Sequence, residues 1–86
     1  MSNNANNNGS KLKKKLGQRL RFLRKSISLT QEELSFRSNL DRSYIASIEQ
    51  GRRNVSLVNL HKIAVVFSMT LSEFLEGVNG NHNNGK

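Results

Sequence analysis

Between Arg42 and Ser47 stand Arg42, Ser43, Tyr44 and Ser47, whose donors and aromatic ring suit the reading of nucleotide bases. Arginine can donate bidentately to guanine O6 and N7, which discriminates against a wrong base by about 1–3 kcal/mol. The alternative for Arg42 is a phosphate at the rim. Ser43 suits a base or a phosphate equally. Tyr44 can donate to phosphate, stack on sugar or touch a thymine methyl, unless it packs on the preceding helix. Ser47 lies one turn beyond Ser43 and either faces the groove or serves as a small residue at a close approach. Two other groups suit phosphate. Thr30 and Gln31 sit at a helix start, where free N–H groups and the dipole favour an anion. Arg52, Arg53 and Asn54 form a basic loop able to grip a backbone, or else a solvated turn. Nothing comparable points to catalysis. There is no Cys/His or Ser/His pairing, no phosphate loop and no paired carboxylates in an apolar setting, so an enzyme is not expected. His61 and His82 are too isolated to hold a metal, and no cofactor is implied.

These side chains need rigid supports, and apolar spacing supplies them. Leu12, Leu16, Leu20, Leu23 and Ile27 recur at helical spacing and define a first helix from Lys11. Gly17 weakens it by about 1 kcal/mol relative to alanine. Thr30-Gln31-Glu32-Glu33 reads as a capping box opening a second helix, Gln31 to Ser38, with Leu34 inward. Asn39 tolerates the left-handed conformation that ends a helix. Asp41 is the expected N-cap of a third helix, Arg42 to Gln50, closed by Gly51, with Ile45 and Ile48 inward. Ser56 caps a fourth, whose core stripe is Leu57, Leu60, Ile63, Ala64 and Phe67. Thr70-Leu71-Ser72-Glu73 opens a short fifth helix ending at Gly77. No segment alternates with period two. The expectation is an all-α, compact five-helix bundle.

Composition sets the outer limits. The 86 residues allow one domain, with 35% hydrophobic residues and no cysteine to add disulfides or thiolate ligands. So small a core stabilises by only about 3–5 kcal/mol, which favours dimerisation. Val65, Val66, Leu71, Phe74 and Leu75 lie off the main stripes and are the candidate two-fold interface, unless one core absorbs them. Residues 1–10 and 78–86 are asparagine-rich and aperiodic, so both are expected to be disordered tails around a domain at 11–77. No apolar run spans a membrane and no signal segment is evident, which leads to an expectation of a cytoplasmic protein. The net charge of +8 asks for a polyanion, and eight of the fourteen basic residues fall between Lys11 and Lys25. Whether the Lys11–Lys15 cluster touches phosphate or only solvent stays open.

The stretch QEELSFRSNLDRSYIASIEQG, Gln31 to Gly51, resembles the helix-turn-helix of the Cro/repressor-type, or XRE, bacterial regulators. The matching positions are Gln31, Leu34, Ser35, Asn39, Leu40, Asp41, Ile45, Ile48, Glu49 and Gly51, with serine for the commoner alanine at 35 and asparagine for glycine at 39. SNLDRSYIASIE followed by RNVSL is closer still to the controller proteins of restriction–modification systems. The resemblance covers residues 16–76. It implies a lambda-repressor-like DNA-binding domain whose third helix enters the major groove. It also implies that Glu49 pairs with an arginine of the first helix, Arg24, with Arg19 and Arg21 as alternatives. For a controller it implies a homodimer on operator repeats of duplex DNA, activating or repressing its own gene and the endonuclease gene in the bacterial nucleoid. RNA polymerase is then a further partner, and no small-molecule ligand is evident.

Other functional classes fit less well. A generic XRE repressor shares every residue above. An antitoxin-type interaction module would need a longer ordered extension than these tails provide. LKKKLGQRLRFLRK is basic and amphipathic enough for a membrane surface, yet its apolar face is better used in a shared core.

Overall fold

Leu16, Leu20 and Leu23 repeat at helical spacing, and in the computed structural model they are buried along one face of α1 (Ser2–Ser26). The structure describes residues 2–78, with side chains from residue 9 onward. Four short helices follow: α2 (Gln31–Ser38), α3 (Arg42–Glu49), α4 (Leu57–Val66) and α5 (Leu71–Val78). No strand occurs among the described residues. The all-α, five-helix expectation matches this architecture.

Two of the corners use the same chemistry. After α1, Leu29 N–H donates to Arg24 O at 2.9 Å and Ser28 N–H to Lys25 O at 3.0 Å, with Ser28 at φ 55°. After α4, Met69 N–H donates to Ala64 O and Ser68 N–H to Val65 O, both at 3.0 Å, with Ser68 at φ 56°. Each is a Schellman ending with serine in the left-handed position. Each runs straight into a capping box, Thr30 with Glu33 and Thr70 with Glu73. The Thr30 backbone N–H and then its hydroxyl hold the Glu33 carboxyl below its ordinary range. These two corners fix the angles at which α2 and α5 leave their predecessors.

The core gathers Leu16, Leu20, Leu23, Leu29, Leu34, Ile45, Ile48, Ile63, Ala64, Phe74 and Val78. Several expectations from periodicity need correction. Leu12, Ile27 and Leu57 are exposed at 57%, 49% and 65%. Ile27 lies past the end of α1, where helical spacing no longer applies. Leu12 and Leu57 sit outside the part of each helix that neighbouring elements cover. Phe74, assigned to a dimer interface, is fully buried in the monomer. With Val78 one turn on, it forms the inward stripe of α5. Val78 therefore belongs to the domain and not to the tail at 78–86, the rest of which lies outside the described residues. At the other end the backbone of α1 is helical from Ser2, where a disordered tail over 1–10 had been expected.

Two glycines act through space. A Cβ on Gly17 would collide with Ile48 O and stand 2.7 Å from Glu49 O, so α1 crosses the end of α3 at backbone contact. A Cβ on Gly77 would collide with the Arg19 guanidinium, which donates to the carbonyls of Phe74 and Glu73 at 3.1 Å each. Arg19 thus ties α1 to α5 and is not the partner of Glu49.

Candidate nucleic-acid interface

The turn between α2 and α3 is tight because Asn39 takes a left-handed conformation (φ 62°, ψ 33°), its N–H bonding Ser35 O. The Ser35 hydroxyl donates to Leu40 O across the same turn. Leu34 from α2 and Ile45 and Ile48 from α3 lock the pair from within. Asp41 is the N-cap of α3, as expected, but its side chain accepts no hydrogen bond from the N–H groups of the first turn. Arg42 and Ser43 are exposed on the first turn of α3, whose inner face is fixed by buried Ile45 and Ile48.

At the other end of α3 stands an ion pair. Arg24 donates from Nε to Glu49 Oε2 at 2.6 Å and from Nη2 to Oε1 at 2.9 Å, and its Nη1 reaches Leu29 O at 2.8 Å. The two side chains are only 10% and 2% exposed. Gln31 adds a third donor to Glu49, from Nε2 to Oε1 at 3.1 Å. The hydrogen bond that Arg24 donates to the Glu49 carboxylate raises the Arg24 pKa, against the opposing effect of burial. One carboxylate thereby joins α1, α2 and α3. The carboxamide of Gln31, expected to meet phosphate, already has a protein partner, while its backbone stays at the start of α2.

The loop after α3 is latched to the same helix. Arg53 lies 5.3 Å over the Tyr44 ring and donates from Nε to Ser47 Oγ at 2.9 Å. Ser47 in turn donates to Tyr44 O at 2.7 Å, and Asn59 of α4 donates to the Tyr44 hydroxyl at 3.1 Å. Ser47 and Tyr44 are half-buried, whereas Arg52, Arg53 and Asn54 are exposed. Arg52 reaches Gln50. A polar concavity lined by Asn39, Asp41, Ser43, Tyr44, Arg53 and Asn59 opens beside the exposed turn of α3. Arg53, assigned to backbone contact, is thus held against the face of α3, and Ser47 spends its hydroxyl holding it. Asn59 was missed, because nothing in the local pattern around it signals a partner 15 residues away.

The geometry is that of two helices bracing a third, whose first turn is exposed beside a basic loop. The family model described as helix-turn-helix matches residues 20–74. This chain belongs to that family. Control protein C.MunI of Mycoplasma sp is 46% identical over 68 residues, 78% of this chain and 92% of its own. The restriction–modification controller C.AhdI from Aeromonas hydrophila superposes with a TM-score of 0.69 at 50% identity, covering 72% of this chain and 94% of that one. The controller C.Esp1396I, solved as a tetramer with its natural 35 base-pair operator, superposes at 0.72 with 32% identity over 79% and 90% of the two chains. Membership of this helix-turn-helix family accounts for the organised polar surface around α3. Among the described residues no helix is long and apolar enough to cross a membrane, and no group of acids and histidines could hold a metal.

Proposed function

We propose that the protein is a controller of a restriction–modification system, binding operator repeats as a homodimer and setting transcription of its own gene and the endonuclease gene. The observation that carries this reading is the exposed Arg42–Ser43 turn of α3, a helix anchored at its far end by Glu49 and along its side by the Tyr44–Arg53 latch. Arg42 reads a base pair, and Ser43 and Tyr44 contact the neighbouring nucleotides. Ser47 acts by positioning Arg53. Arg52, Asn54 and the backbone at Thr30 and Gln31 hold phosphates on either side. The match to C.MunI along most of its length supports the controller assignment.

A homodimer would use α4 and α5. Leu57, Val58 and Val65 are exposed at 65%, 65% and 57%, and Val66, Leu71 and Leu75 are half-buried. Together they supply an apolar face once Phe74 is left out. An activator must also reach RNA polymerase. The outward face of α2 suits that contact, with Phe36 87% exposed beside Glu32 and Glu33, because neither the core nor the DNA-facing residues use it. This places the protein's work in the bacterial cytoplasm, on the nucleoid.

Footprinting on the DNA upstream of its own gene tests the reading. Protection of repeated half-sites, beside genes for a methyltransferase and an endonuclease, is the expected result. Specific protection in a genome lacking those neighbours would leave a generic repressor instead.

A further inference from the structure

All six acidic residues lie at or beyond Glu32, so residues 1–31 hold eight cations and no anion. Among them, Arg24 is ion-paired and Arg19 is bound to α5. Lys11, Lys14, Gln18, Arg21 and Lys25 are spaced 3, 4, 3 and 4 residues apart, so they form one stripe along α1, and all five are exposed. The stripe is about 21 Å long at 1.5 Å per residue. Like charges at such spacings repel one another along the helix.

Its position decides what could relieve that repulsion. Gly17 and Arg24, the α1 residues that touch the end of α3, form the adjoining row. Lys14 lies against Gly51, whose Cβ would meet Lys14 Cα and Cγ at 3.2 Å, where the loop bearing Arg52 and Arg53 begins. Lys13 lines a crevice together with Arg53 and Asn54. The basic face of α1 is therefore continuous with the loop assigned above to phosphate. The opposite face of α1, Leu16, Leu20 and Leu23, is buried in the core, and the apolar side chains that α1 leaves exposed, Leu12 and Phe22, stand ten residues apart and form no continuous apolar face for a lipid surface.

We propose that Lys11, Lys14, Arg21 and Lys25 form a second phosphate-binding ridge, following the duplex outside the bases read by α3. This rests on the DNA-binding reading and extends it: bound DNA makes phosphate contacts in the flanks, independent of sequence. About 21 Å of ridge matches roughly six base pairs of axial rise at 3.4 Å per step.

The test compares full-length Lys14→Gln/Arg21→Gln with a control that removes two exposed cations elsewhere, Arg37→Gln/Lys62→Gln. The readout is the dependence of log K on log salt for one duplex. Each lost phosphate contact flattens the slope by about 0.9. The ridge variant should lose close to two such steps at unchanged base preference, the control should lose none, and Lys14→Arg/Arg21→Lys should keep the full slope. Equal slopes for ridge variant and wild type, or an equal loss in the control, would overturn the ridge. So would a ridge variant that lost only its adsorption to phosphatidylserine vesicles. A wild type with no base preference would sink the regulator reading alone, since the slope can be read on any duplex. Thermal melts by circular dichroism confirm that each variant is folded.

Discussion

Glu49 lies at the end of the helix assigned to DNA, yet its carboxylate faces inward and receives three donors from Arg24 and Gln31. Burying both charges costs desolvation, which this hydrogen bonding offsets. Glu49→Gln leaves the Arg24 charge without its partner and should destabilise the fold by about 3–5 kcal/mol in urea unfolding. A loss below about 1 kcal/mol, typical of a surface pair, would contradict the bracing role. The residues alone did not single out this pair. Arg19, Arg21 and Arg24 were equivalent cations on one helix, and only the family resemblance favoured Arg24. The Tyr44–Arg53–Asn59 cluster was less legible still. Its members come from α3, a loop and α4, and contacts between elements leave no periodic trace in a sequence.

At the scale of elements, local chemistry was readable where it acts within a few residues. Both capping boxes, the bounds of α2 and the left-handed Asn39 follow from side chains bonding to nearby backbone. Periodicity failed at the ends of helices, at Leu12, Ile27 and Leu57, because it reports the direction of a side chain and not whether a neighbour covers it. Gly17 shows the same limit with the opposite sign. By helix propensity Gly17→Ala should stabilise α1 by about 1 kcal/mol. In the folded protein its Cβ would enter the carbonyls of Ile48 and Glu49, which are backbone and cannot swing aside. Net destabilisation of about 1–3 kcal/mol is expected from a denaturation midpoint, because overpacking outweighs propensity. A raised midpoint would show that α1 and α3 do not cross so closely.

For the whole molecule, a net charge of +8 is concentrated where the helix-turn-helix and α1 share one side. Apolar side chains exposed on α4 and half-buried on α5 suit a two-fold partner. In such a dimer the two copies of α3 would meet one face of the duplex about 34 Å apart, one turn of DNA. Selection from a pool of random duplexes at physiological ionic strength, run in parallel on wild type and Arg42→Ala, addresses this arrangement most directly. Wild type should enrich a repeated half-site at one-turn spacing. Arg42→Ala should lose selection at one base pair of each half-site, by about 1–3 kcal/mol, while still binding duplex. A wild-type protein that enriches no sequence over any other would contradict the assignment of α3 to base recognition.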